Sequence, residues 1–166
     1  MKIEINKVNL GDEEILAYIQ TESWKHAFKG IIKEDDLIAC TNMNDAKGMY
    51  QRLLENNIGH GYILKADGKP QGIAWWDKSR DEDLPTSAEL ICIHSLPDRW
   101  NMGCGSMMMQ RVMDDIKSEG YNSVSLWVFE DNIRARKFYE KHQFVVEGKT
   151  NWFLGAKEIR YIKVIK

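Results

Sequence analysis

The sequence feature that most constrains the fold is an apolar strand pattern followed closely by a helix that opens on two glycines. Residues 87–95, SAELICIHS, are almost continuously apolar after Glu89, which is typical of a strand covered on both faces. Gly103 and Gly105 then stand at the start of an amphipathic helical pattern that ends near Gly120. A glycine inside a helix costs on the order of 1 kcal/mol relative to alanine, so this helix start requires bare backbone.

A helix N-terminus that opens on glycines is suited to binding phosphate. Its first N–H groups lack partners, it carries the positive end of the helix dipole, and glycine lets phosphate oxygens approach the backbone. The pattern therefore predicts a phosphate-binding loop, with a simple tight turn as the alternative. The third glycine of the dinucleotide motif and the Gly-Lys-Ser/Thr of a P-loop are both missing. The predicted loop residues are Asn101, Met102, Gly103, Cys104, Gly105 and Ser106.

Strand and helix patterns alternate along the rest of the chain. Period-two alternation and an Asp-Gly turn predict strands, and apolar residues at helical spacing predict helices. The predicted strands are 2–8, two strands within 61–78, 87–95, 123–129, 144–153 and 157–165. The predicted helices are 12–28, 44–57, one that starts after Gly103, and 131–142 with Asp131 as a candidate N-cap. This order predicts an α+β domain with a mixed sheet and helices on its faces.

Composition limits the classes of partner. The 166 residues suffice for one domain, 1–166, and the net charge of −2 provides no global field that would recruit nucleic acid or an anionic membrane. Three cysteines without a CxxC pattern indicate free thiols in a reducing compartment. We find no signal-peptide pattern and no apolar run near 18 residues, so we expect a cytoplasmic protein. We also expect no bound metal.

Two motifs resemble the GNAT (Gcn5-related N-acetyltransferase) superfamily. AELICIHSLPDRWNMGCGSMMMQRVM is similar to the family's acetyl-CoA-binding core, in which a strand and a proline precede Gln/Arg-x-x-Gly-x-Gly/Ala. EDNIRARKFYEKHQF resembles the second signature, Asn-x-x-Ala-x-x-Phe-Tyr-x-x-x-Gly-Phe. The resemblance runs from about Tyr62 to the C-terminus and departs at Ser95, at Trp100 in the Gln/Arg position, and at Gln143 in a glycine position. It implies a mostly antiparallel central sheet flanked by helices, with a splayed pair of parallel strands.

The resemblance also implies where acetyl-CoA, the expected cosubstrate, binds. The pantetheine arm would pair with the backbone of Ile93, His94 and Ser95. The pyrophosphate would lie on the amides of Asn101–Ser106, and a backbone N–H near Ile93 would polarise the thioester carbonyl. Asn132 and Tyr139 are the further cofactor-binding residues that match the second signature.

Two residues are candidates for proton transfer. Tyr139 matches the family tyrosine beside the departing thiolate and is the candidate general acid, with a core aromatic as the alternative. Glu89 occupies the position of the catalytic glutamate in the histone-acetylating branch and is the candidate base, with an exposed strand start as the alternative. Strand alternation places His94 off the face of Glu89, so we expect it to pack with Leu90 and Cys92.

The expected function is acetyl-CoA-dependent N-acetyl transfer, by direct attack, to a primary amine of a small molecule or a peptide. A catalytically weak acetyl-CoA sensor or interaction module on the same fold is the alternative. We expect no nucleic-acid or membrane partner, and a homodimer is compatible with the pattern. The candidates for the acceptor site are Trp24, His26, Phe28, Trp75, Trp76, Trp152, Phe153 and the acidic loop 77–85. That loop would favour a cationic acceptor, and a solvated loop of mixed charge is its alternative.

Overall fold

A computed structural model describes residues 1–165, a seven-stranded sheet with five α-helices and one 3-10 turn. Lys166, the last residue of the predicted domain, lies outside the described residues. The strands are β1 (Ile3–Lys7), β2 (His60–Ala66), β3 (Lys69–Lys78), β4 (Ala88–Ser95), β5 (Ser123–Phe129), β6 (Val145–Phe153) and β7 (Ala156–Val164). The helices are α1 (Glu13–Ala27), α2 (Glu34–Cys40), α3 (Met43–Glu55), α4 (Cys104–Ser118) and α5 (Ile133–Lys141), and the 3-10 turn is Pro97–Arg99.

The predicted element order is confirmed apart from α2, which is an additional short helix. The sheet runs β1-β2-β3-β4-β5-β7-β6, and every neighbouring pair is antiparallel except β4 and β5. The parallel pair is joined only at Ala88–Val124 and Glu89–Ser125. Beyond these residues the two strands separate, so the splay implied by the resemblance is present.

A bulge in β4 changes which residues share a face. Trp75 pairs with Cys92 and Trp76 with Leu90, which leaves Ile91 as the extra residue. Leu90 therefore packs in the core under α4, whereas Cys92 packs on the opposite face among α1 and α3. The expectation that His94 shares a face with both residues is wrong for Leu90, because strict alternation does not continue through a bulge.

Each face of the sheet has its own core. The predicted apolar stripe of α4 is confirmed, since Met108, Met109, Val112, Met113 and Ile116 are all buried. The run Met107–Met109, at helical spacing, predicts core packing for all three residues; this is wrong for Met107, which is 46% exposed. No helix among residues 1–165 combines the length and apolar character needed to cross a membrane.

The cap of α5 differs by one residue from the prediction. Asn132, rather than Asp131, is the N-cap, because its side chain accepts a hydrogen bond from the Ala135 N–H at 3.3 Å. At the other end of α5, Gln143 adopts a φ of 69°. This left-handed conformation explains why glycine is usual at this position of the motif, and a side chain there costs roughly 1 kcal/mol of strain.

Candidate active site

Two adjoining cavities open where β4 and β5 separate. The first, the splay cavity, has a volume of about 440 Å³ and lies between β4, β5 and α1. The second, the loop cavity, has a volume of about 400 Å³ and lies beside the N-terminus of α4. Their walls share Ala27, Ile93, His94, Arg134, Ala135 and Tyr139. The two cavities are therefore direct neighbours along β4 and α5.

The loop cavity is suited to a polyanion. Four cationic side chains line it, and no Asp or Glu among residues 1–165 does. The cationic residues are Arg99, Arg134, Lys137 and Lys141. A concave surface that carries charge of one sign concentrates a ligand of the opposite charge.

The two glycines of the loop have different environments. Gly103 is the N-cap of α4 with φ 85°, and a Cβ built there would meet no atom within 4 Å. Its carbonyl accepts from the Met107 N–H at 3.1 Å, and the earlier amides of the helix have no intrahelical partner. At Gly105, a Cβ would lie 3.1 Å from Cε1 of Phe138 on α5. Gly103 therefore keeps the loop open, whereas Gly105 also lets α4 approach α5.

Trp100 links the loop to β4 and to α5. Its indole N–H donates to the Ser95 carbonyl at 2.9 Å. The Arg134 guanidinium carbon lies 3.5 Å from the centroid of the Trp100 ring, a cation–π contact. Arg134 has no hydrogen bond or ion pair to another residue in 1–165, and burial lowers the pKa of its guanidinium. An aromatic side chain thus replaces the expected Gln or Arg and positions a cation from another element.

Tyr139 lies where the two cavities meet. Its side chain is buried in the core under α4, yet it lines both cavities. Burial, with a smaller effect of Cys92, raises the pKa of Tyr139 above its ordinary value, while Arg134 lowers it. The phenol therefore remains protonated at neutral pH. Its ring fills the core as the alternative expects, and its hydroxyl makes no hydrogen bond to another residue in 1–165.

His94 connects β4 to α1. Its Nε2 accepts from the Trp24 indole N–H at 2.9 Å. Burial, with a smaller effect of Arg134, lowers the pKa of His94 to about 4. The imidazole is therefore neutral at pH 7 and serves as an acceptor for Trp24.

Glu89 is buried against a single cation. Its side chain is 1% exposed, so the exposed strand start considered above is wrong. Oε1 accepts from the Arg80 backbone N–H at 3.0 Å and from Arg80 Nε at 3.2 Å, and Oε2 accepts from Nη2 at 2.6 Å. Glu89 lines a third cavity of about 670 Å³, the outer cavity, together with Ile91, Trp127 and Glu158. A proton delivered to Glu89 would neutralise the carboxylate and thereby remove the charge that pairs with Arg80.

Comparison of sequences identifies the family. The sequence model described as the acetyltransferase (GNAT) family matches residues 14–144. The chain belongs to the GNAT acetyltransferase family. It is 22% identical over 131 residues to the N-acetyltransferase YuaI of Bacillus subtilis, which covers 78% of this chain and 73% of that protein. It is also 23% identical over 145 residues to an N-acetyltransferase of Mycobacterium bovis, covering 87% of this chain and 90% of that protein.

Solved structures with the same fold support the assignment. PaiA N-acetyltransferase from Thermoplasma acidophilum, a complex with coenzyme A, superposes with a TM-score of 0.81 at 22% identity over 96% of this chain and 98% of that one. YncA from Salmonella typhimurium, with acetyl-CoA, superposes with a TM-score of 0.74 at 13% identity over 99% of this chain and 94% of that one. The mixed sheet with one splayed parallel pair is thus the GNAT fold, and the chain is an acyltransferase.

The GNAT loop 101–106 lies beside the cationic cavity only in part. Asn101, Gly103, Gly105 and Ser106 line the loop cavity. Cys104 is buried in the core under α4, and Met102 is 50% exposed. Any contact of Met102 or Cys104 with phosphate would therefore come from the backbone. Asn132 lines the splay cavity, at the N-cap of α5.

The candidates for the acceptor side divide into two groups. Trp24, Phe28, Trp75 and Phe153 line the splay cavity. His26, Trp76 and Trp152 do not; Trp76 lies in the core under α4, and Trp152 is 68% exposed. The prediction that these aromatic residues surround the acyl acceptor therefore remains possible only for the four residues that line the splay cavity.

Two acids of the loop between β3 and β4, Asp81 and Asp83, are paired with cations within the protein. Buried Arg160 donates to Asp81 at 3.2 Å and to Asp83 Oδ2 at 2.7 Å, and it also contacts Glu147. Lys149 adds an ion pair with Asp83 at 3.3 Å. Hydrogen bonds from Arg160 hold the pKa of the Asp83 carboxyl well below its usual range. These acids are therefore poor recruiters of a cationic acceptor, contrary to the expectation from sequence.

Two further residues of the cavities escaped the prediction. Arg134 occupies a variable position of the Asn-x-x-Ala motif, where residue type alone indicates no role. Glu158 lies on β7, where sequence alternation alone does not indicate which face of the strand meets the cavity.

Proposed function

We propose that the protein transfers the acetyl group of acetyl-CoA to a primary amine by direct attack. The observation that carries the proposal is that a cationic cavity at a glycine-opened helix N-terminus shares wall residues with a largely apolar cavity between the splayed strands. The first is suited to the phosphates of the cosubstrate, and the second to the acyl acceptor. Tyr139 stands at their junction.

The cosubstrate's phosphates would bind the backbone of Asn101–Ser106. Arg134, stacked on Trp100, would supply the charge that the family draws from the Gln/Arg position. The pantetheine arm would lie along β4 beyond Glu89, where no strand pairs with its β5 side, using the backbone of Ile93, His94 and Ser95. The Ser95 carbonyl already accepts from Trp100, so it has one remaining lone pair for that contact.

The chemistry requires proton transfers at the amine nitrogen and at the CoA sulfur. The acceptor ammonium loses a proton, and its nitrogen then forms a bond to the thioester carbon while the N–H near Ile93 stabilises the oxyanion. The C–S bond breaks, and the CoA sulfur takes the proton of the Tyr139 hydroxyl, whose raised pKa keeps it protonated until then. The new amide nitrogen loses its second proton, and the Tyr139 phenolate regains one, so the tyrosine returns to its starting state. Glu89 is the proposed proton acceptor, acting after displacement of an Arg80 donor or through water.

Calorimetry and thiol release test this function together. Acetyl-CoA should bind the protein, and amine addition should release free thiol. Tyr139→Phe should leave the Kd of acetyl-CoA nearly unchanged and reduce kcat by roughly 10²-fold, because only the proton donor is removed. Tyr18→Phe, at a tyrosine 51% exposed on α1, is the matched control and should retain full turnover.

The outcomes separate an enzyme from a sensor. Equal kcat for Tyr139→Phe and the wild-type protein would remove Tyr139 as the acid and leave it a core aromatic. Binding of acetyl-CoA without thiol release from any of a broad panel of amines would replace the enzyme with a CoA-binding sensor. Failure to bind acetyl-CoA would exclude both functions.

A further inference from the structure

An aromatic wall lines the splay cavity on the side away from the phosphate loop. The ring centroids of Trp24 and Phe28 lie 5.3 Å apart, and Phe28 meets Phe129 edge-to-face at 4.9 Å. Phe153 continues the wall, 6.2 Å from Phe129. All four side chains line the same cavity of about 440 Å³. Such a wall accommodates an apolar body of small-molecule size and attracts a cation toward its ring faces.

A carboxylate, Glu158, lies at the end of this wall. It pairs in register with Phe129 across β5 and β7, and it lines both the splay cavity and the outer cavity. Its hydrogen bond within residues 1–165 is long, 3.4 Å from Asn151 Nδ2 to Oε1. Burial raises the pKa of Glu158, with smaller opposing effects of Asn151 and Arg80 and a like-charge effect of Glu89. The carboxylate is thus incompletely paired and faces the cavity.

Most neighbouring acids are already paired with cations. The paired acids are Glu89 with Arg80, and Asp81, Asp83 and Glu147 with Arg160. Asp77 also lines the splay cavity, and its Oδ1 accepts from the Lys78 backbone N–H at 2.8 Å. Asp77 is therefore the rival to Glu158 for a ligand cation. Among residues 1–165, the lining of the splay cavity offers a second ammonium on the same ligand only Asp77.

We propose that Glu158 binds the ammonium of the acceptor and that the acceptor carries one primary amine on an apolar, preferably aromatic, body. This inference rests on the proposed function. The aromatic wall would hold the body while the carboxylate fixes the amine end. A polyamine with three or more ammonium groups would instead bring more charges than the two carboxylates of the splay cavity can pair, and burying a charge without a partner is costly.

Initial rates with paired amines test the proposal. Phenethylamine should be acetylated with a kcat/KM about tenfold or more above that for spermidine. Glu158→Gln should raise the Michaelis constant for phenethylamine about tenfold and leave that for acetyl-CoA unchanged, because the cationic cavity is intact. Glu82→Gln, an exposed acid of the loop between β3 and β4, is the matched control and should behave as the wild-type protein. Asp77→Asn should have a smaller effect on the Michaelis constant for the amine than Glu158→Gln.

A binding measurement provides a readout independent of turnover. Titration of phenethylamine into the complex with CoA should quench tryptophan fluorescence, since Trp24 and Trp127 line the cavity, and Glu158→Gln should weaken this binding. Preference for spermidine, an effect of Asp77→Asn larger than that of Glu158→Gln, or equal behaviour of Glu158→Gln and Glu82→Gln would each overturn the proposal while the proposed function stands. Absence of acetylation with every amine would overturn both.

Discussion

At the residue scale, the role of a buried acid depends on its partner. Glu89 is matched by motif position to a catalytic glutamate, and its burial agrees with a special role. The ion pair with Arg80, however, occupies both carboxylate oxygens. Glu89 can serve either as the proton acceptor or as the anchor that holds Arg80 and the start of the acidic loop.

Two variants distinguish these roles. If Glu89 is the base, Glu89→Gln should lower kcat at neutral pH and recover as pH rises, because more of the amine is then already neutral. Arg80→Gln removes the same ion pair but keeps the carboxylate, so its pH–rate profile should differ from that of Glu89→Gln and it should keep more activity at neutral pH. Similar profiles for both variants, with similar loss of thermal stability, would leave Glu89 as an anchor and assign the proton to water.

The positions of single residues were predictable where the backbone determines them, whereas their catalytic roles stay predictions. The site of Tyr139 followed from a motif on one helix, and its place at the junction of the cavities agrees with that motif. The stack of Arg134 on Trp100 was not predictable, since it joins two elements 34 residues apart through side-chain packing alone. The neutralisation of Asp83 by Arg160 was missed for the same reason.

At the element scale, the start of α4 serves two purposes. Gly103 provides an open left-handed turn ahead of the free amides, and Gly105 provides the gap that Phe138 fills. From the sequence pattern, we predict that both glycines let the phosphate oxygens approach the backbone. The structure supports that assignment for Gly103 and adds a packing role for Gly105.

Alanine substitutions should separate these purposes. Gly103→Ala should raise the Kd of acetyl-CoA about tenfold, because its Cβ enters the open space of the loop. Gly105→Ala should mainly lower the melting temperature, since overpacking against Phe138 costs roughly 1–3 kcal/mol. Gly68→Ala is the control for left-handed strain alone: Gly68 has φ 80° and an equally open surrounding in the β2–β3 turn. An unchanged Kd in folded Gly103→Ala would remove the phosphate assignment.

Element boundaries followed from sequence where the local pattern was strong. The bounds of β5, Ser123–Phe129, agree with the prediction because this short run, rich in β-branched and aromatic residues, has a polar residue on either side. Helix α2 was missed because it has only seven residues and no side-chain cap. The bulge at Ile91 was missed because an extra strand residue is defined by the partner strand, which the β4 sequence does not contain.

At the scale of the whole molecule, α1 contacts the sheet next to the point where β4 and β5 separate. There, the adjacent parallel strands no longer hydrogen-bond each other, so the helix and its aromatic side chains cover the opening. The hydrogen bond from Trp24 to His94 lies at this boundary and spans 70 residues of sequence. Because that bond requires neutral His94, docking of α1 should depend on pH.

The sign of this dependence follows from the depressed pKa. His94 titrates near 4 in the folded protein and near 6.5 when unfolded, so between these values the unfolded chain binds the proton more readily. The associated stability is present above pH 6.5 and is lost as pH falls toward 4, by at most about 3 kcal/mol.

Melting temperatures of the ligand-free protein from pH 7.5 to 4 should therefore fall more steeply for the wild-type protein than for His94→Gln. Glutamine retains an acceptor for Trp24 but does not titrate, whereas His60→Gln controls for loss of a histidine elsewhere and should keep the wild-type slope. Equal slopes in the wild-type protein and His94→Gln would show that the junction of α1 and β4 does not sense the proton.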